Sequence, residues 1–228
     1  NHETSPRKHR REMISTLIFD LDGLLADTEK LHRRSYQDVF EELGLSLPDQ
    51  HYDEHWIRDG KGIVEYLAVN HLPLSVDEIR AKKAERYDRL VRGSAEPMPG
   101  AISALERLRP QLRIALATSS YSDAALAVLQ TLGIEEVFEH IATKESAQRL
   151  KPFPDIFLGV ATALGVSPSE CVVVEDAQKG IIAAHCAGMH SIAVPNSQTR
   201  DNDFSKATFV LGSLEELTLY TIEKCANS

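Results

Sequence analysis

The sequence of 228 residues has few cysteines, few aromatic residues and no long hydrophobic run. Its three cysteines are an odd number, and Cys171 and Cys186 lie in apolar surroundings, so we expect reduced, structural thiols. No stretch approaches the roughly 18 apolar residues that a membrane span requires. The first twelve residues lack the apolar core of a signal peptide. These absences predict a cytoplasmic protein with no membrane partner.

The charge balance also argues against nucleic acid as a partner. The formal net charge of −9 disfavours nonspecific attraction to nucleic acid. A small basic patch lies within residues 1–12, where we expect a disordered, solvated tail rather than a binding arm. The single Trp56 and the scattered aromatic residues define no exposed stripe, so a monomer is expected.

Most of the chain alternates short apolar runs with helical patterns. This βα alternation predicts an α/β fold, with a Rossmann-like parallel sheet covered by helices. The predicted strands are Ile14–Asp20, Leu112–Thr118, Val137–Ala142, Cys171–Glu175, Ser191–Val194 and Thr208–Leu211.

One segment does not follow this alternation. Residues 31–94 have a helical pattern with breaks around Arg58–Gly62 and at Leu72–Pro73, and a linker-like stretch follows at Gly93–Gly100. We therefore expect an all-helical cap at 31–94, inserted into an α/β core formed by residues 13–30 and 95–228.

Two aspartates follow the first predicted strand. Asp20 and Asp22 are two positions apart, which places both carboxylates on one side if the chain stays extended. One carboxylate can attack a phosphate ester, while the other protonates the leaving oxygen and later activates water. An Asp-x-Asp-Gly segment is equally typical of an ordinary turn.

Polar residues also follow later strands, at the edge where doubly wound sheets bind ligands. Thr118 and Ser119 precede a helix, so their hydroxyls and the backbone N–H groups there can hold phosphate oxygens or simply cap the helix. Lys151 can neutralise a transferring phosphoryl group or be solvated. Glu175 and Asp176 offer the hard oxygen ligands that suit Mg²⁺.

These segments together resemble the four motifs of the haloacid dehalogenase superfamily, over roughly residues 14–194. The helix end at Ala183–Gly188 is similar to the subgroup that contains β-phosphoglucomutases and small sugar-phosphate phosphatases. The matching segments, in chain order, are Phe19–Thr28, Ala117–Ser119, Lys151–Phe157 and Val174–Gly180.

The resemblance implies a role for each motif residue. Asp20 would be the nucleophile, Asp22 the general acid and base, and Thr118 and Lys151 the phosphate holders. The implied ligands of Mg²⁺ are the carboxylates of Asp20 and Asp176 and the backbone carbonyl of Asp22, with Glu175 assisting. It also implies a helical cap between the first two motifs and a small-molecule phosphate ester as substrate.

Three readings of the activity follow from the resemblance. Dehalogenases of the superfamily typically lack the second aspartate, so Asp22 favours phosphate esters. Mutases have a cap glycine followed three residues later by an arginine; counting from Gly60 that position is Ile63, which favours a phosphatase over a phosphomutase. A ligand-binding protein without catalysis is the third reading, although it would be free to lose Asp20, Asp22 or Lys151.

Three further residues are candidates for substrate binding. His32 stands twelve residues after Asp20, as in β-phosphoglucomutase-like chains, although related phosphatases often have a histidine there too. Arg58 and Lys61 flank the glycine-rich turn and either bring positive charge over the crevice or are ordinary surface charges.

Overall fold

The computed structural model describes residues 13–59 and 61–226. The predicted tail, residues 1–12, and Gly60 lie outside the described residues. Within them, the strands form one parallel sheet in the order β3-β2-β1-β4-β5-β6. The strands are β1 (Thr16–Phe19), β2 (Arg113–Ala117), β3 (His140–Ala142), β4 (Cys171–Glu175), β5 (His190–Ala193) and β6 (Phe209–Val210).

The six predicted strands are all confirmed, and the α/β parallel-sheet prediction with them. Strands β1, β2 and β6 are shorter than predicted at both ends, and β3 is shorter at its start. The third strand begins only at His140, because Glu135–Val137 forms a turn of 3₁₀ helix before it. Charged residues at 135 and 136 fit such a turn better than a buried strand.

Helices cover the sheet and fill the segment between β1 and β2. A single turn of π helix, Asp53–Arg58, follows the second of them. The α-helices are α1 (Glu29–Glu42), α2 (Asp49–Tyr52), α3 (Ile63–Val69), α4 (Val76–Ser94), α5 (Ala101–Leu108), α6 (Ser122–Leu132), α7 (Asp155–Leu164), α8 (Gln178–Cys186) and α9 (Leu219–Cys225).

Both faces of the sheet are buried, as continuous apolar strands require. Along β1, Leu17 and Phe19 join the cluster that includes residues of α5, α6 and α9. Ile18 points the other way, into the cluster that α7 and α8 complete. The central strand is therefore shielded from water, and its carboxyl end opens at the site described below.

The helical segment has an apolar cluster of its own, formed by residues of α1, α2, α3 and α4. It also continues into the α/β part, because Leu31, Tyr87 and Val91 belong to the main cluster. Ala26 and Pro97, which lie on either side of the helical segment, form a β-bridge. The division into core and cap at the predicted boundaries stays a prediction.

The cysteine expectation is only partly correct. All three thiols are free, and Cys171 and Cys225 are buried. Cys186 is exposed, because it occupies the last turn of α8 on the side away from the sheet. Among the described residues, none of the helices has the length and apolar character needed to cross a membrane.

Candidate active site

The centre of the site is a buried lysine held between two acids. Lys151 Nζ lies 2.5 Å from Asp20 Oδ1 and 2.7 Å from Glu175 Oε1, and it donates to the Ala117 carbonyl at 2.8 Å. Asp20 and Glu175 stand at the ends of the adjacent strands β1 and β4. Burial disfavours the ammonium, but the two carboxylates outweigh it and raise the pKa of Lys151. The lysine is therefore a permanent cation in the site.

Three acids cluster there against this one ammonium. Oxygen atoms of Asp20, Glu175 and Asp176 lie within 4.8 Å of one another. Burial, opposed by Lys151 but reinforced by Glu175, raises the pKa of Asp20 to about 7. Burial and the charges of Glu175 and Asp20 also raise the pKa of Asp176 well above its usual value. The cluster has more negative charge than Lys151 neutralises.

The geometry and donor set of this cluster fit a divalent cation. All of its side-chain donors are carboxylate oxygens, the hard ligands that Mg²⁺ prefers. Lys151 engages one oxygen each of Asp20 and Glu175, which leaves the second oxygen of the Asp20 carboxylate outside that ion pair. A cation there would relieve the repulsion that raises the pKa values of Asp20 and Asp176.

Two glycines make room for these carboxylates. A Cβ atom on Gly180 would lie 1.9 Å from the Glu175 carboxyl carbon, so no side chain fits there. Gly23 has a φ of +81°, and a Cβ atom on it would lie 2.7 Å from Asp176 Oδ2. The glycines of the first and fourth motifs are thus explained by close approach to the acids.

Asp22 points into a separate pocket of hydrogen-bond donors. Its Oδ1 accepts from Thr28 Oγ1 at 2.5 Å, and its Oδ2 accepts from Ser120 Oγ at 2.6 Å and from Thr118 Oγ1 at 3.2 Å. Burial alone would raise its pKa, but His32, whose Nε2 lies 3.4 Å from Oδ1, and the hydroxyls hold the pKa of Asp22 well below its usual range. Asp22 is therefore ionised in this arrangement.

His32 connects Asp22 to α4. Its ring stacks on Tyr87 with centroids 4.1 Å apart, and its Nδ1 lies 2.7 Å from Lys83 Nζ. At this distance the Lys83 ammonium can donate to Nδ1, an arrangement in which Nε2 carries the ring proton and faces Asp22. Burial lowers the pKa of Lys83 to about 8, against the opposing charges of Asp22 and Glu29.

A cavity of about 400 Å³ opens over both acid groups. One wall is formed by Trp56, Ile57, Arg58 and Asp59, at the end of the π turn. Trp56 is fixed by its stacking on Tyr52, with centroids 4.9 Å apart. Polar residues from α8 and from the loop after β5 also line the cavity: Gln178, Lys179, Gln198, Thr199 and Asn202.

Most predicted site residues meet at this cavity. Asp20, Asp22, His32, Arg58, Thr118, Ser119, Glu175 and Asp176 line it, and Lys151 lies buried beneath Asp20. Lys61 is not among the described residues that line the cavity. Its Nζ lies 3.0 Å from Asp59 Oδ2. Helix α6 offers fewer free N–H groups than expected, because Glu145 accepts from Ser122 N at 3.1 Å.

The sequence analysis missed several residues of the site. Thr28 and Ser120 lie inside or beside the motifs, and the hydroxyl pattern around them could have indicated a role. Asn196, three residues beyond β5, donates to Asp176 Oδ2 at 2.9 Å. It could have been found by applying the strand-end rule to the fifth strand. Lys83 has no sequence signal, since it lies in the middle of a charged helix.

The sequence and fold of the chain are similar to those of known phosphate-ester enzymes. Fructose-1-phosphate phosphatase YqaB of Escherichia coli is 33% identical over 80% of this chain and 97% of its own length. CbbY from Rhodobacter sphaeroides, solved with phosphate, is 31% identical with a TM-score of 0.83, covering 92% of this chain and 99% of its own. A β-phosphoglucomutase from Clostridium difficile is 29% identical with a TM-score of 0.76, covering 94% and 98%.

A family model gives the same assignment. The model described as haloacid dehalogenase-like hydrolase matches residues 17–194, which include all but the first residue of β1, the whole of β4 and all the acids of the site. The predicted resemblance is therefore confirmed by both comparisons. This chain belongs to the haloacid dehalogenase-like hydrolase family.

Proposed function

We propose that this chain is a Mg²⁺-dependent phosphatase that hydrolyses small sugar or polyol phosphates through an aspartyl-phosphate on Asp20. The observation that carries this proposal is the pairing of Asp20 with buried Lys151, with Asp22 on the same cavity. A carboxylate nucleophile, a fixed cation and a second carboxylate are what a two-step phosphoryl transfer needs.

In the first step, Asp20 attacks phosphorus and the bond to the leaving oxygen breaks. Lys151 holds the Asp20 carboxylate in place and offers positive charge to the phosphoryl oxygens, together with the Ser119 hydroxyl. Asp22 gives a proton to the leaving alkoxide. The arriving phosphate dianion favours that protonated form, because a like charge raises the pKa of a carboxyl group.

In the second step, Asp22 accepts a proton from water, which attacks phosphorus and releases inorganic phosphate and free Asp20. Asp22 is ionised when this step begins, a form that its hydroxyl partners and His32 favour, and it is protonated again, ready for the next substrate, when the step ends. The net reaction consumes one water and yields an alcohol and phosphate. Asp20, Asp176 and the Asp22 carbonyl would hold Mg²⁺, with Glu175 assisting, and the ion would neutralise charge on the transferring group.

The substrate class is inferred from the cavity walls and the relatives. Trp56 offers an aromatic face, and Gln178, Gln198 and Asn202 offer amide groups that suit hydroxyls. The name of YqaB refers to fructose-1-phosphate, and a CbbY variant from Rhodobacter sphaeroides was solved with xylulose-1,5-bisphosphate. A cytoplasmic location and a monomeric state remain predictions from the sequence.

A phosphomutase is the second candidate. It is favoured by the likeness to β-phosphoglucomutase, whereas the contact of His32 with Asp22 fits either activity. The assay is phosphate release from a panel of sugar, polyol and nucleoside monophosphates with Mg²⁺, beside EDTA and Asp20→Asn. Release that needs both Mg²⁺ and Asp20 supports the phosphatase. Interconversion of sugar monophosphates that needs a bisphosphate primer, without net release, would favour the mutase instead.

A further inference from the structure

Asn196 joins three parts of the site through one side chain. Its Nδ2 donates to the Gly23 carbonyl at 3.0 Å and to Asp176 Oδ2 at 2.9 Å. Its Oδ1 accepts from the backbone N–H groups of Gln198 at 2.8 Å and Thr199 at 3.2 Å. The turn after Asp20, the acid that follows β4 and the loop after β5 are thereby connected.

The orientation of this amide follows from its partners. Two backbone N–H groups can only face the oxygen, and a carbonyl and a carboxylate can only face the nitrogen. The amide nitrogen therefore donates two hydrogen bonds and the amide oxygen accepts two. A carboxylate in the same place could accept from the loop but could not donate to Asp176.

We infer that Asn196 is a positioning residue for the metal ligand Asp176 and so sets the affinity of the chain for Mg²⁺. This rests on the proposed function, since it takes Asp176 as a ligand. Asn196 donates to Oδ2 of Asp176, which restrains the orientation of that carboxylate, and it makes no hydrogen bond to Oδ1. Partners that orient metal-bound carboxylates affect metal affinity strongly, typically by about 10-fold or more.

The same residue ties the metal site to a wall of the cavity. The loop that Asn196 organises contains Gln198, Thr199 and Asn202, which line the same cavity as Trp56 and Arg58. The loop has an independent anchor, because Asn202 Oδ1 accepts from Gln178 N at 3.0 Å. Loop order and carboxylate orientation can therefore be perturbed separately.

The test is calorimetric binding of Mg²⁺ to the full chain without substrate, for wild type, Asn196→Ser, Asn196→Ala and Asn202→Ala. In Asn196→Ser the hydroxyl still accepts from the Gln198 N–H but cannot reach Asp176. Asn196→Ala lacks both functions, and Asn202→Ala loosens only the loop. Melting temperatures in EDTA show whether each variant is folded, and half-buried, loop-borne Asn196 should affect them little.

We expect both Asn196 variants to raise the dissociation constant for Mg²⁺ by about 10-fold or more. In Asn202→Ala this constant should stay within about twofold of the wild-type value. The Mg²⁺-induced rise in melting temperature should shrink in the same order. Wild-type affinity in Asn196→Ser, or an equal loss in Asn202→Ala, would overturn the inference. Absence of Mg²⁺ binding by wild type would instead contradict the proposed function itself.

Discussion

Lys151 Nζ lies 2.5 Å from Asp20 Oδ1, with the side chains of the two residues 1% and 11% exposed. The pair joins the loop before α7 to the end of β1, and the Glu175 carboxylate completes it at 2.7 Å. An ammonium shared by two buried carboxylates is stable only while all three groups are present. The contact therefore links catalysis and stability.

Replacing the buried lysine should destabilise the protein as well as inactivate it. Lys151→Met leaves Asp20 and Glu175 buried without their cation, so the free energy of unfolding should fall by about 3 to 5 kcal/mol. Arg149→Met is the control, since its pair with Asp155 is exposed and should contribute under about 1 kcal/mol. Urea unfolding in EDTA measures both, and equal effects would contradict the account.

A methyl group on Gly180 tests how tightly Glu175 is held. The new Cβ would overlap the Glu175 carboxyl group, so Gly180→Ala should displace this carboxylate from Lys151. The free energy of unfolding should fall by several kcal/mol, about the cost of breaking a buried ion pair. Gly159→Ala is the matched control in α7, where no atom lies within 4 Å of the new Cβ. It should stabilise by about 0.5 to 1 kcal/mol. Thermal unfolding that ranks the two variants the other way would refute this.

Lys83 should give stability a defined pH dependence. Its pKa is lowered to about 8 in the folded state, from a usual value of about 10.4 when unfolded. Between these values the unfolded chain binds more protons, so the contribution of Lys83 to stability rises with pH from about 8 to 10.4. Below pH 8 its burial as a cation opposes folding.

The variant Lys83→Met removes this titration while keeping the size and much of the packing on Tyr87. Unfolding free energies of wild type and variant should therefore converge or cross as the pH rises through that window. Parallel pH profiles for the two proteins would show that Lys83 does not titrate as described. Lys82→Met is the control, because the Lys82 partner Glu42 lies at the surface, away from His32.

These residues show what could be predicted from the sequence. The strands were found because parallel strands buried on both faces are continuous apolar runs, and the acids because they follow those runs directly. Lys83 was missed because its partner His32 lies on a different helix, and Asn196 because it lies three residues beyond β5 rather than directly after it. The π turn at Asp53–Arg58 could not be predicted, because residues 53–58 contain no distinctive pattern.

The charge of the cap turn should influence which phosphate esters are accepted. Asp59 accepts from Arg58 Nε at 3.0 Å and from Lys61 Nζ at 3.0 Å, so one carboxylate holds both cations beside the cavity and offsets part of their charge. Asp59→Asn should release them and raise kcat/KM for sugar bisphosphates relative to monophosphates, by several-fold. Glu54→Gln, which removes a more distant partner of Arg58 at 3.8 Å, should leave that ratio nearly unchanged. An unchanged ratio in Asp59→Asn would rule out this role.

The central claim is that Asp20 becomes phosphorylated, and acid quenching within one turnover tests it most directly. Wild type mixed with Mg²⁺ and a substrate from the panel should acquire the mass of one phosphoryl group, located by peptide mass spectrometry at Asp20. Asp20→Asn should acquire none and release no phosphate, while still unfolding in a cooperative thermal transition, at a lower temperature than wild type because Lys151 loses one of its two carboxylate partners. Phosphate release without phosphorylated Asp20, or at the wild-type rate in Asp20→Asn, would contradict the account.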